Sequence, residues 1–138
     1  MKKLFILLLS LVFVFGLVSC VKPVNSEEVN KDAVYAADTE LGEGDKTVYV
    51  AVVTGDKTVT FTVHTSEQFL GKALLDLRLI DGDQGDYGLY VKKVNGVVAD
   101  YDVDQSYWSL SVAGEISMTG IDAVEVVDGT HYELTYTK

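Results

Sequence analysis

From Thr47 onward, apolar and polar positions fall into short periodic runs separated by glycine-containing turns. Thr47 to Val53 (TVYVAVV) is rich in β-branched residues, and Thr58 to Thr65 (TVTFTVHT) alternates strictly, with Val59, Phe61 and Val63 on one face. Thr54-Gly55-Asp56-Lys57 between them supplies a hairpin turn, so the two runs are read as an antiparallel pair. The period then changes. Phe69, Leu70, Ala73, Leu74, Leu77 and Ile80 recur at helical spacing, and Thr65-Ser66-Glu67-Gln68 has the form of a capping box. This predicts a helix from Ser66 to Leu79 with its apolar stripe against the sheet and Lys72, Asp76 and Arg78 in solvent. Asp81-Gly82-Asp83-Gln84-Gly85-Asp86 reads as a loop by composition. Strands are predicted at Gly88 to Val94, Val97 to Tyr101, Tyr107 to Val112, Glu115 to Met118 and His131 to Thr137, where Tyr132, Leu134 and Tyr136 share a face. Asn95-Gly96, Ala113-Gly114 and Asp128-Gly129 mark the turns.

Two strands, a helix and then several strands specify an α+β domain. The order is that of a β-grasp-like mixed sheet covered by one helix. Residues 47–138 supply about 92 positions for it, enough for one core of modest size.

The preceding residues have a different character. Met1-Lys2-Lys3 leads into a 15-residue apolar run from Leu4 to Val18, shorter than the roughly 20 residues that span a bilayer. This is the pattern of a cleaved secretory signal peptide, here residues 1–19. Leu17-Val18-Ser19-Cys20 resembles a bacterial lipobox, in which Cys20 is lipidated. Cys20 is also the only cysteine, so neither an intramolecular disulfide nor a thiolate cluster can form. Val21 to Lys46 is polar and acidic and holds the only proline, Pro23, with a short helix over Glu28 to Ala37 as its one candidate element. Residues 20–46 therefore read as a lipidated cysteine and flexible tether, whose 26 residues after Cys20 would reach roughly 25 Å. The expected location is the extracellular face of the bacterial cell membrane, reached only through Cys20.

After residue 19 the chain carries 9 basic and 21 acidic residues, a net charge of −12. Such a polyanion has no electrostatic route to nucleic acid, and anionic lipid would repel it.

Candidate chemistry is sparse. No Gly-x-Ser-x-Gly, His-Glu-x-x-His or phosphate loop occurs, so the chain reads as a non-enzyme. Asp81, Asp83 and Asp86 form one acidic group; Asp100, Asp102 and Asp104 form another, at alternate positions that an extended segment would present on one side. Either could supply oxygens to a divalent cation such as calcium, although neither has the glycine and distal glutamate of an EF-hand. His64 and His131, with Glu133 on the latter's face, could seed a zinc or copper site, but strand spacing would hold the imidazoles roughly 10 Å apart. Tyr87, Tyr90, Tyr101, Tyr107 and Trp108 form an aromatic group suited to a flat ligand or a protein partner. Within it the alternation sends Trp108 to the core and Tyr107 to the surface.

The ordered set Val94-Asn95-Gly96, an acidic spacer, Tyr107-Trp108, Ala113-Gly114, Gly120, Asp128-Gly129 and a closing Tyr-rich strand resembles the transcobalamin-like C-terminal domain family, a domain of unknown function common in bacterial surface lipoproteins. Ala113 departs from the asparagine expected before the second turn glycine. The resemblance spans about Thr47 to Lys138 and implies a β-grasp fold. It also implies a binding face at Asn95, Gly96, Tyr107, Trp108 and Gly114. In the vertebrate cobalamin carriers the related domain closes over the corrinoid together with a separate helical barrel, which is not expected in this chain. The expected function is a non-catalytic, lipid-anchored surface module that captures a small ligand, with cobalamin a candidate, or a surface protein partner. A metal-ion-binding lipoprotein using the acidic loops and a structural or adhesive spacer are the alternatives.

Overall fold

The structure is a computed structural model that describes residues 26–138; the expected signal peptide, the expected lipidation site Cys20 and the first residues of the expected tether lie outside the described residues. In chain order the elements are α1 (Ser26–Val29) with a 3₁₀ turn (Asn30–Asp32), β1 (Thr39–Gly42), β2 (Lys46–Thr54), β3 (Lys57–Thr65), α2 (Leu70–Asp76), β4 (Ile80–Gly85), β5 (Gly88–Val94), β6 (Val97–Val98), α3 (Tyr101–Asp104), β7 (Tyr107–Val112), β8 (Glu115–Ile116), a 3₁₀ turn (Ile121–Ala123) and β9 (His131–Thr137). The fold is α+β, and its strands form two sheets. Six strands run in the order β1-β3-β2-β9-β7-β8, and three in the order β4-β5-β6.

The β2–β3 hairpin is in the expected register, with Val50 opposite Phe61 and Val48 opposite Val63. β9 lies parallel to β2 on its other side, setting Tyr132 beside Val50 and Leu134 beside Val52. Period-two alternation therefore collects the β2, β3 and β9 apolar residues on one face, where Val48, Val50, Phe61 and Val63 are fully buried. A parallel neighbour in the middle of the sheet needs a long crossover. Here α2, the three-stranded sheet and β7–β8 all intervene between β3 and β9.

The helix is shorter than Ser66 to Leu79 because tertiary contacts hold its predicted first turn extended. The Thr65 hydroxyl accepts from the Glu67 amide at 3.0 Å instead of capping at Gln68. Gln68 then accepts from the Val126 amide and Phe69 bridges to Glu125, so helical dihedrals begin only at Leu70. Leu70, Ala73 and Leu74 are buried as the stripe predicted. At the other end the Arg78 amide donates to the Leu75 carbonyl and the Leu79 amide to Leu74, with Arg78 at φ +56°. That pattern closes a helix with a left-handed residue, a place usually held by glycine.

The second sheet replaces the loop expected from Asp81 to Asp86. β4 pairs with β5 from Ile80–Val94 to Gly85–Gly88, around a bulge between Asp81 and Gly82. Asp and Gly obscured this strand because its apolar anchor, Ile80, stands at its start and its remaining residues face solvent. The predicted strand from Val97 to Tyr101 contracts to Val97–Val98, and Glu115 to Met118 contracts to Glu115–Ile116.

The segment expected as tether is partly folded from Ser26. β1 pairs parallel with β3, setting Leu41 beside Val63. Val29, Ala33 and Tyr35 pack against the core, Tyr35 meeting Phe61 edge-on at 5.5 Å. The helix expected over Glu28 to Ala37 is limited to α1 and its 3₁₀ extension.

Candidate functional site

A cleft of about 350 Å³ opens where the two sheets meet, between β5 and the β7–β8 edge. Its walls are Leu89, Tyr90 and Val91 on one side and Tyr107 to Leu110 on the other, with Ile116, Ser117 and Thr119 at the rim. The opening exists because β8 is only two residues long. It pairs with β7 at Ser111 and Val112, and after Ser117 the chain leaves toward the 3₁₀ turn at Ile121, exposing the earlier half of β7. Asp122 fixes the cleft's far end by accepting from the Leu89 amide at 3.1 Å.

Trp108 is 8% exposed, edge-on to Tyr136 at 5.6 Å, and its indole N–H donates to the Val97 carbonyl at 3.3 Å. Tyr107 points the other way and is 39% exposed, as alternation predicted. Tyr90 and Ile116 are also exposed. None of the lining residues is an acid, base or histidine, in a chain of net charge −10. Such a lining suits an uncharged ligand with an apolar face and a few hydroxyl or amide contacts.

The other expected binding residues lie elsewhere. Asn95 is 2% exposed and fully engaged: Oδ1 accepts from the Tyr35 amide and Nδ2 donates to the Tyr35 carbonyl, both at 2.9 Å. Its own amide donates to Leu79 and its carbonyl accepts from Val34. Gly96, at φ +81°, lies so close to the amino-terminal segment that a Cβ there would be 2.3 Å from the Asp32 carbonyl oxygen. The Asn95-Gly96 turn is therefore a clasp for residues 32–35. Gly114 borders a different hollow, on the outer face of the large sheet. Tyr87 and Tyr101 are exposed outside the cleft.

The acidic groups are rearranged too. Asp100, Asp102 and Asp104 do not lie along an extended segment, because Asp100 caps α3 by accepting from the Asp102 amide at 3.0 Å. The Asp104 carboxylate accepts from the Ser106 hydroxyl and amide and lies 3.4 Å from Lys138 Nζ. The Ser106 hydroxyl, then its amide, then Lys138 hold Asp104 below its usual carboxylate range. Asp83 and the second group act on one lysine. Lys92 Nζ lies 3.0 Å from Asp83 Oδ2 and also feels Asp100 and Asp102; these carboxylates, Asp83 foremost, raise its pKa. An ammonium thus already sits where a cation would be attracted. Asp81 accepts from the Gly82 amide, and Asp86 is in the exposed β4–β5 turn.

His64 and His131 are separately engaged. His64 Nε2 is 2.5 Å from Glu40 Oε1 and its Nδ1 is 2.9 Å from Thr47 Oγ1, while His131 stacks on Tyr49 at 4.6 Å. Among the described residues no three His, Cys, Asp or Glu side chains gather into a metal-holding group. The cleft residues that sequence reasoning missed, Leu89, Leu110, Ile116, Ser117 and Thr119, carry no motif. They become neighbours only because the strands divide into two sheets.

The fold and sequence have known counterparts. A crystal structure of a protein from Ruminococcus gnavus ATCC 29149, described as a "putative metal binding protein", is 35% identical, with a TM-score of 0.64 over 68% of this chain and 98% of that one. Haptocorrin in complex with Cbi is 22% identical, with a TM-score of 0.52 over 71% of this chain; the match spans 26% of the haptocorrin chain and is a likeness of fold. No curated protein sequence matches. Residues 68–138, from the approach to α2 through β9, match the family described as Domain of unknown function (DUF4430), and the chain belongs to that family.

Proposed function

We propose that this protein is a non-catalytic binding module, held at the outer face of the bacterial membrane through lipidated Cys20, that takes a small uncharged ligand into the cleft between β5 and β7. The observation that carries this reading is the uncharged, aromatic-lined opening at Tyr90, Tyr107 and Trp108. Its volume of about 350 Å³ is at the low end of ligand sites, which run from roughly 300 to 1,000 Å³. It suits a small molecule, or one edge of a larger one whose remainder is covered by another domain or chain. A corrinoid fits the second description. Haptocorrin, whose fold is alike, is bound to Cbi, and the strand order β3-β2-β9-β7-β8 in the large sheet supports reading this domain as a β-grasp.

Trp108 is the only tryptophan, so fluorescence excited selectively at tryptophan reports on the wall of the cleft that Trp108 lines. Titration of residues 21–138 with dicyanocobinamide, which carries no net charge, and with small neutral aromatics should give a saturable change for at least one, weakened about tenfold by Tyr107→Ala. No saturable change with any of them would refute the cleft reading. Cys20→Ser should move the full-length protein from the membrane fraction to the soluble one; retention in the membrane fraction would refute the anchor.

A second reading, divalent-metal binding, is favoured by the description of the R. gnavus relative. Asp83, Asp100 and Asp102 all act on Lys92, so a divalent ion attracted there would have to displace the Lys92 ammonium. A rise in melting temperature with calcium or zinc that EDTA reverses and Asp83→Asn abolishes would support it by mass action.

A further inference from the structure

We propose a second binding site, distinct from the cleft, for a small organic ammonium ion on the outer face of the large sheet at Tyr49, Thr60, His131 and Glu133. The hollow there has a volume of about 290 Å³ and is produced by residue size. Ala51 lies in mid-sheet with Glu133 opposite it on β9 and Thr60 opposite it on β3, so a methyl group forms the floor between two longer side chains. Tyr49, two residues earlier on β2, pairs with His131 and stacks on it with the ring planes 21° apart. The β7–β8 turn closes the rim, held there by the Ala113 amide donating to the His131 carbonyl, and Gly114 adds no side chain to fill the space.

The chemistry of this hollow is one-sided. It offers a stacked aromatic wall, a hydroxyl and a carboxylate, with no lysine or arginine in the lining. Glu133 is oriented by the Thr135 hydroxyl, which donates to Oε1 at 2.9 Å and leaves Oε2 free of that bond. Glu133 and the stacked Tyr49–His131 pair line the same hollow, so a cation held there is attracted by the carboxylate charge and packs its alkyl groups against the aromatic wall. A metal ion would need only a small fraction of this volume, whereas an alkylammonium ion with its carbon groups occupies a substantial part of it. The site therefore differs from the cleft in both ligand charge and location, and each can fail without the other.

The test is a titration of residues 21–138 with choline, with its neutral isostere 3,3-dimethylbutan-1-ol and with zinc chloride, read by two-dimensional NMR at the His131 and Tyr49 rings. Choline is expected to shift both rings saturably, and the neutral isostere to bind about tenfold more weakly or not at all. Glu133→Gln, which keeps the bond from Thr135, and Ala51→Val, which fills the floor, should each weaken choline about tenfold or more, while Tyr107→Ala in the cleft leaves it unchanged. The two site variants change exposed or half-buried positions on a strand and should keep the wild-type spectrum elsewhere. Equal binding of the alcohol, undiminished binding by Glu133→Gln, or saturation by zinc but not choline would each overturn the proposal.

Discussion

Asn95→Ala should be among the most damaging single substitutions away from the apolar core, although it removes only one exposed-looking turn residue. The native side chain makes two bonds of 2.9 Å to the backbone of Tyr35, 60 residues away, and it is buried. Each such bond contributes about 0.5–1.5 kcal/mol, and leaving the Tyr35 amide or carbonyl without a partner costs about 1–3 kcal/mol where water cannot replace it. Asn95 also sits at φ +49°, where alanine is strained by about 1 kcal/mol. Together these give a loss of roughly 2–4 kcal/mol, or about 8–15 °C in Tm for a domain of this size. Two companion variants separate the causes. Asn95→Gly accepts the left-handed backbone without strain, so its deficit is the lost hydrogen bonds plus the roughly 0.5–1 kcal/mol of extra unfolded-chain entropy that glycine brings; Asn95→Asp keeps the acceptor for the Tyr35 amide but loses the donor to the carbonyl, and should fall between glycine and wild type. Thermal unfolding by circular dichroism gives the totals, and amide exchange at Val34 and Tyr35 locates them. If Asn95→Ala unfolds within about 0.5 kcal/mol of wild type, or if Tyr35 exchange is unchanged, the clasp contributes nothing and residues 32–35 are held by other contacts.

Arg78→Gly and Ala113→Gly should each stabilise the domain by about 0.5–1 kcal/mol, because both native residues hold positive φ, at +56° and +51°; a lower denaturation midpoint for either would show that their side chains matter more than backbone strain. Phe61→Ala should cost about 3–5 kcal/mol, since the ring is fully buried and meets Tyr35 edge-on; chemical denaturation checks it. Asp104 is held below its usual value near 3.8, chiefly by the Ser106 hydroxyl. Its contribution to stability is therefore present above the unfolded carboxylate pKa and is lost as pH falls through the lower folded value. Ser106→Ala should bring the Asp104 titration, followed by carboxyl-carbon NMR, back toward its ordinary value; an unchanged titration would contradict the assigned cause.

Much of the large sheet was legible because its signals are local. Strict alternation from Thr58 to Thr65 and the Gly55–Asp56 turn need no distant partner to specify a hairpin, and the same alternation sent Trp108 inward and Tyr107 outward. Leu70, Ala73 and Leu74 likewise announced a buried helical stripe. The aspartates were less readable. At Asp100 to Asp104 a capped helical turn wins over an extended strand, with the Asp102 amide donating to Asp100 and Ser106 tied to both Asp100 and Asp104.

Sequence by itself determined the α+β class, the central hairpin, the position of the helix and the absence of any familiar catalytic motif, since periodicity and turn chemistry act over a few residues. Only the tertiary structure decided that the strands divide into two sheets, that β1 is drawn out of an apparent tether to pair with β3, and that Asn95 is a clasp for Tyr35. These depend on pairings between residues tens of positions apart, which leave no period in the chain. The cleft and the outer hollow belong to the same class: one exists because β8 stops after two residues, the other because an alanine stands between Thr60 and Glu133.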